Sequence, residues 1–359
     1  MDLDIQIKRS KVVWRQVADQ VRKKILSKQL LPGTKLPSTA QMAAQVGTDV
    51  PTLHRALTEL VTEGLLTRTP RIGTHVAQWE KGLLRLGIYH ARNILADRNA
   101  IPHRVIEAEV QKLASQMKIS VQVWTDPRPP ANQTTPLPVV EYAARERIIQ
   151  GLISTCPDET HWRWFRKLPI PVSTLGASPS AYINFDHANF FDVAFEVLRK
   201  QGCRSVAYLA PHRRPSRFFD NFDAACAKFG LSTRPEWQGA NDGTLDSQSG
   251  NYESFAFHEF RRLWRQDVKP DGLVVYPDIF TNGVVLGILA EKVRVPEELK
   301  VVLHRNEEIN FFCPFEATLV TSRFADAARA MISQLDGVLK GREPKRVLIT
   351  HEAVVNPAA

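Results

Sequence analysis

Residues 34–76 read TKLPSTAQMAAQVGTDVPTLHRALTELVTEGLLTRTPRIGTHV, two short helical patterns followed by a basic hairpin. Leu36-Pro37-Ser38 supplies a helix start, because the Ser38 hydroxyl can cap the first turn and Gln41, three residues on, can return the bond. Met42, Ala43 and Val46 give that helix its apolar face, and Gly47, which tolerates positive φ, ends it. Thr48 or Asp49 caps the next helix, and Pro51 fits its first turn, where a missing N–H costs little. Leu53, Ala56, Leu57, Leu60 and Val61 then recur at helical spacing until Gly64. The spacing predicts a helix-turn-helix, whose second helix lies in a DNA major groove. Residues 68–76 come next as a turn between two short strands, with Arg68 and Arg71 where a winged helix meets the DNA backbone or minor groove. A small helical bundle with an incidental hairpin is the plainer alternative.

On the N-terminal side, residues 12–27 form an amphipathic helix in which Val13, Val17, Val21 and Ile25 repeat every four positions beside Trp14. It is expected to pack on the two helices of the 34–76 stretch. The charge is uneven. Residues 1–82 hold 13 Lys/Arg and 7 Asp/Glu, hence +6, and the remainder holds 34 and 31, hence +3, which together give the chain's +9. The smaller part thus carries most of the excess, as a phosphate-binding module would, although a solvated basic face has the same composition.

The words PGTKLPS (residues 32–38), the helix ending Ala56-Leu57 to Leu60 and Glu63-Gly64-Leu65, and Gly73-Thr74 with Val76 resemble the GntR-type winged helix over residues 12–77. The resemblance implies DNA contacts from Lys35, Ser38, Thr39, Gln41, Pro51, Thr52, His54, Arg55, Arg68, Arg71, Gly73, Thr74 and His75. Several positions depart from the family: Ala40 and the pair Val50 and His54 stand where members carry Arg, and Arg71 replaces the first Gly of the wing tip. The fold carries over, and the family's usual operator does not.

From Leu84 the pattern changes to short apolar strands alternating with helices, which predicts an α/β architecture with parallel sheets covered on both faces. The cycle runs through strands at 84–89, 119–124, 151–154 and 170–173 and restarts at helix 187–201. Two successive α/β units suggest two lobes, with ligand at the carboxyl ends of the strands. The expected division is a winged helix-turn-helix at 1–78, a linker at 79–83, and a two-lobed domain at 84–359. Lobe 1 spans about 84–200 and 316–344, and lobe 2 about 201–315 and 345–359. The connection AQWEKGL (residues 77–83) is no flexible Gly/Ser linker, so the reading head should be held close to the two-lobed domain.

Ile183-Asn184-Phe185-Asp186, Gln201-Gly202-Cys203-Arg204-Ser205-Val206-Ala207, Pro270 to Asp278 and Val295 to Val302 resemble, in order, motifs of the LacI/GalR-type sensor. This resemblance covers about 84–355 and implies a periplasmic-binding-protein-like fold, a homodimer, and a small-molecule effector, usually a sugar, held near Tyr89, His90, Asp186, Arg217, Asp278 and Arg305. Pro277 stands where the family has Asn beside Asp278, and Arg305 falls where it has Asp. An Arg there favours an acidic ligand such as a sugar acid, unless Arg305 pairs with Glu307 or Glu308 in a loop. A change in lobe angle would then alter operator binding.

The remaining chemistry is excluded by pattern. The ten His show no metal-ligand spacing, and no phosphate-loop, dinucleotide or serine-elbow motif occurs. Neither a cofactor nor a catalytic residue is expected. Trp162 and Trp164, two positions apart on a helix, cannot share one face. Cys156, Cys203, Cys226 and Cys313 form no CxxC pair and read as thiols of a reducing, cytoplasmic compartment. No apolar run is long enough for a bilayer and the N-terminus has no signal-peptide core. Three readings stay open: a repressor of operator DNA released by effector, a DNA-binding dimer whose sensor has lost its ligand, and a GntR-type head fused to an enzyme.

Overall fold

The computed structural model describes all residues except 1–2, 8–11, 28, 64, 71, 78–81, 92, 95–99, 156–158, 177–181, 212–215, 240–250 and 357–359. Two compact units divide the chain. Met1–Asn93, Glu107–Ile183 and Ala328–Arg346 make up the first, and Ile94–Ile106, Asn184–Ala327 and Val347–Ala359 the second.

The first unit begins with α1 (Val13–Leu26), α2 (Thr39–Val46) and α3 (Val50–Thr62), then β1 (Leu66–Thr69) and β2 (Gly73–Val76). The stripes read from the sequence form one core: Val17, Val21 and Ile25 of α1 meet Met42 and Ala43 of α2 and Leu53, Ala56, Leu57 and Leu60 of α3. Ser38 Oγ accepts from the Gln41 N–H at 3.3 Å, and Gln41 Oε1 accepts from the Ser38 N–H at 3.0 Å, which completes the capping box. Gly47 closes α2 with φ 71° and ψ 39°, a left-handed conformation that a side chain would strain. Asp49 caps α3, accepting the Thr52 N–H at 2.6 Å. Strands β1 and β2 pair antiparallel from Leu66↔Val76 to Thr69↔Gly73. The 33–36 segment also joins this wing, since the Leu36 N–H donates to the Thr74 carbonyl and the Val76 N–H to the Thr34 carbonyl, both at 2.8 Å. Ser38→Ala should therefore cost about 1 kcal/mol of stability, measured by urea unfolding, because it removes the cap from a helix of only two turns.

The same unit continues through β3 (Arg85–His90), α4 (Ile101–Gln116), β4 (Ser120–Thr125), α5 (Pro138–Arg145), β5 (Gly151–Thr155), α6 (Glu159–Phe165), β6 (Val172–Leu175) and β7 (Ile183–Phe185). Its strands run parallel in the order β4-β3-β5-β6-β7. Tyr89, Val140, Leu152, Trp162, Trp164 and Phe165 share one core, so both tryptophans are buried. The chain entering β3 is pinned by side chains. Asp336 accepts the Leu83 N–H at 3.1 Å, Gln150 Oε1 accepts the Leu84 N–H at 2.8 Å, and Leu84 packs on the core of the helical head.

The second unit holds α7 (His187–Lys200), β8 (Val206–Leu209), α8 (Arg217–Phe229), β9 (Gln238–Gly239), α9 (Tyr252–Trp264), β10 (Gly272–Val275), α10 (Thr281–Ala290), β11 (Lys300–Asn306) and β12 (Ala317–Ser322). Then come α11 (Phe324–Leu339), whose residues from Ala328 on belong to the first unit, and β13 (Val347–Ile349) and β14 (Glu352–Asn356). The sheet order is β14-β12-β11-β10-β8-β9, parallel except for β14. Alternation decides which face each strand residue serves. Val274 and Val302 pack with α7 and α8, whereas Leu273, Val275, Val301 and Leu303 pack with α9 and α10. Cys203, Cys226 and Cys313 are buried free thiols, and Cys156 lies outside the described residues.

Candidate nucleic-acid interface and strand-end site

An open groove of about 900 Å³ lies between the start of α2 and the wing. Lys35, Ser38, Thr39, Gln41, Arg68, Gly73 and Thr74 line it together with Gln45. The groove arises because the 33–36 segment runs beside β2 and delivers Lys35 and the first turn of α2 to the same side as Arg68. The Arg68 Nε approaches Thr74 Oγ1 at 3.4 Å across the hairpin, and its buried Nη2 has no acceptor among the described residues. A helix start, a lysine and an arginine are what an anionic backbone needs.

The exposed face of α3 adds Pro51, His54 and Arg55. Thr52 Oγ1 donates to Asp49 Oδ2 at 2.8 Å, so its hydroxyl proton serves the cap; these bonds hold the Asp49 carboxyl below its ordinary range. The His54 ring lies 3.3 Å from Thr58 Oγ1. Arg55 stacks its guanidinium over Trp14 of α1 at 4.4 Å, which fixes the arginine stem while leaving the side chain exposed. His75 is half-buried on β2, and Arg71 lies outside the described residues.

In the second unit, a cluster of rings gathers at the carboxyl ends of the parallel strands. The His304 ring lies 4.6 Å from Tyr276 and 5.4 Å from His351, and the His187 ring 4.5 Å from Phe218 and 5.2 Å from Tyr276. Phe190 touches Tyr276, His304 and His351. Beside the rings, four residues close a hydrogen-bonded circuit. The Asp278 N–H donates to His304 Nδ1 at 3.1 Å, which leaves the imidazole proton on Nε2, 3.2 Å from Ser322 Oγ. Ser322 Oγ donates to Asn306 Oδ1 at 2.9 Å, and Asn306 Nδ2 donates to Asp278 Oδ2 at 2.7 Å. Enclosure raises the Asp278 pKa against the pull of the Asn306 amide and backbone N–H. Burial pushes the His304 imidazole down to about 3, and burial with His304 nearby does the same to His351.

The six effector positions expected from sequence fall into separate surroundings. Asp186 caps α7, accepting the Asn189 N–H at 3.0 Å, one residue before His187 of the ring cluster. Arg217 opens α8 beside Phe218. Asp278 sits in the circuit. Strand β11 extends to Asn306, so parity sets His304 and Asn306 on the face of Val302 and Arg305 on the other. The Arg305 Nη2 reaches the Glu307 carbonyl at 3.5 Å. In the first unit, fully buried Tyr89 donates to Asp126 Oδ2 at 2.7 Å, which with burial raises its phenol pKa. Buried His90 bonds Glu107 at 2.8 Å, and desolvation lowers its pKa. Sequence reasoning missed His187, Tyr276, His304, Asn306, Ser322 and His351. Only the alternation Val302, His304, Asn306 carried a signal.

Residues 14–76 match the bacterial regulatory proteins of the gntR family, and residues 195–356 match a periplasmic binding protein-like domain. The chain joins a GntR helix-turn-helix domain to a periplasmic-binding-protein-like domain. Over 76 residues, 21% of this chain, it is 36% identical to the uncharacterized HTH-type transcriptional regulator YhcF of Bacillus subtilis, and the match spans 63% of that relative's length. Among solved structures, a transcriptional regulator CelR–cellobiose complex is similar at a TM-score of 0.61 and 16% identity, covering 90% of this chain and 100% of that one. The lac repressor dimer bound to operator and the anti-inducer ONPF is similar at a TM-score of 0.58 and 16% identity, covering 76% of this chain and 93% of that one. These two likenesses establish fold.

Proposed function

We propose that this chain is a cytoplasmic transcriptional repressor that binds operator DNA as a homodimer and responds to a small-molecule effector, a sugar or sugar acid. The observation that carries the reading is the groove, which gathers Lys35, Arg68 and the start of α2 beside the exposed face of α3 in a GntR-type domain. One reading head per chain favours a dimer on two half-sites. No helix among the described residues is long and apolar enough to cross a membrane, and the chain's relatives are regulators rather than enzymes.

The effector reading rests on the strand-end site around Asp278, since ligands of open α/β sheets bind outside the carboxyl ends of the strands. To change operator affinity tenfold, the effector must prefer one conformational state by about 1.4 kcal/mol. Asp278→Ala should leave operator binding intact without effector and raise the effector concentration needed for release. A panel of sugars and sugar acids, screened by thermal shift and then by operator release, finds the compound. If Asp278→Ala releases operator at the parent's effector concentration, the site is elsewhere. A second reading, a sensor without a ligand, is favoured by one observation: Asp278, Asn306, Ser322 and His304 bond one another. A panel that never shifts the melting transition supports it.

A further inference from the structure

We propose that Val50, the first residue of α3, is a specificity-determining residue that selects a thymine in each operator half-site by packing its isopropyl group on the base's 5-methyl. The proposal rests on the DNA-binding reading above and names a base within it.

The second helix of a helix-turn-helix meets base edges with its N-terminal residues. In α3 those residues begin at Val50, directly after the Asp49 cap. Leu53, Ala56, Leu57 and Leu60 fill the core of the head, whereas Val50 lies ahead of them and is 47% exposed. Neither capping nor packing calls for a valine there, and a β-branched residue is no better than average as a helix former.

The polar groups around Val50 are already engaged. Asp49 Oδ1 accepts the Thr52 N–H at 2.6 Å, and Asp49 Oδ2 accepts the Thr52 hydroxyl at 2.8 Å. The Thr58 hydroxyl donates to the His54 carbonyl at 2.8 Å, and the Thr62 hydroxyl to the Thr58 carbonyl at 3.0 Å. Every hydroxyl of α3 is therefore bonded within the helix or its cap, and the Arg55 guanidinium lies over Trp14. What the first two turns offer a base edge is the Val50 isopropyl, the Pro51 ring, the Thr52 methyl and the His54 imidazole.

Chemistry then selects the base. In the major groove, guanine presents N7 and O6, adenine N7 and N6, and cytosine N4, whereas thymine adds a methyl group to its O4. An isopropyl group neither donates nor accepts, so it would strip water from a polar edge without replacing the lost bond. Against the thymine methyl, contact removes apolar surface of both partners from water.

The test begins with selection of the tightest duplex from a randomised library by the full-length parent. Each thymine of that duplex is then replaced singly by deoxyuridine, which removes the methyl and keeps the base pair. Fluorescence anisotropy at one salt concentration should show a loss of about fourfold at one thymine per half-site. Val50→Ala should bind the thymine duplex about fourfold more weakly and bind thymine and uracil alike at that position, with an unchanged salt slope because no phosphate contact is lost. Val50→Ile, which keeps the branched apolar end, should restore the discrimination. Val50 is exposed and alanine is a good helix former, so folding should survive, as far-UV circular dichroism will show. A parent indifferent to every uracil, or Val50→Ala with the parent's thymine-to-uracil ratio at every position, overturns the proposal. In either case a selected duplex bound with steep salt dependence leaves the DNA-binding reading standing, whereas a library from which nothing is enriched overturns both.

Discussion

Exchanging Lys35 and Arg68 together for alanine is expected to weaken binding to every DNA sequence and to flatten the plot of log affinity against log salt by about two units. Both residues line the groove at the start of α2, and neither is consumed by an ion pair among the described residues; the Arg68 Nη2 lacks any acceptor there. A cation on a phosphate releases a counterion irrespective of the bases nearby, so operator and random DNA should lose affinity alike. Between 50 and 200 mM salt, the pair's share of the salt sensitivity is about tenfold. Fluorescence anisotropy on both DNAs across that range measures it, and a slope equal to the parent's would take these two cations out of the interface. Arg55 is expected to behave differently, because its stacking on Trp14 contributes to folding as well as to charge.

The second large effect concerns acid. His304 and His351 are each held near pKa 3 in the folded chain, whereas an unfolded imidazole titrates at about 6.5. Below pH 6.5 the unfolded chain thus binds protons that the folded chain refuses, and stability falls as pH drops toward 3. The contribution is intact above pH 6.5. Each ring contributes a slope of about 1.4 kcal/mol per pH unit, so the two together remove about 4 kcal/mol by pH 5, a large part of a domain's usual 5–15 kcal/mol. Asp278, whose Oδ1 lies 4.0 Å from His304 Nδ1, is the nearby carboxyl, and its bond to Asn306 keeps it occupied. Tyr276, His187 and Asp186 are the other titratable groups facing the cluster. Urea midpoints from pH 7 to 5 should show the decline, and His351→Phe, which keeps a ring among rings, should halve it. A midpoint constant over this range would mean that the cluster opens to water or finds partners when protonated.

Much of the head was legible because its determinants are local. The capping box of Ser38 and Gln41, the left-handed Gly47 and the four-residue repeat of α1 each involve residues within one or two turns, where spacing alone fixes geometry. The Asp49 cap also lay within reach, although Thr48 competed for it until the backbone direction was known. The strand-end site was less legible. Its parts come from α7, the end of β10, β11, β12 and the start of β14, and alternation along β11 sets Arg305 on the opposite face from His304 and Asn306. In a period-two element a site position taken one residue away lies on the wrong face.

By itself, the sequence determined where the head's helices begin and end, and that a winged helix precedes two α/β units. Caps, glycines and apolar periodicity act over a few residues, and those interactions are written in the order of the chain. Tertiary structure alone decided which polar groups meet. It placed Arg55 on Trp14, brought Lys35 beside Arg68, and buried His304 and His351 5.4 Å apart. These partners are dozens of residues apart, and their contact depends on strand register, helix rotation and the close packing of interiors, which no local pattern encodes.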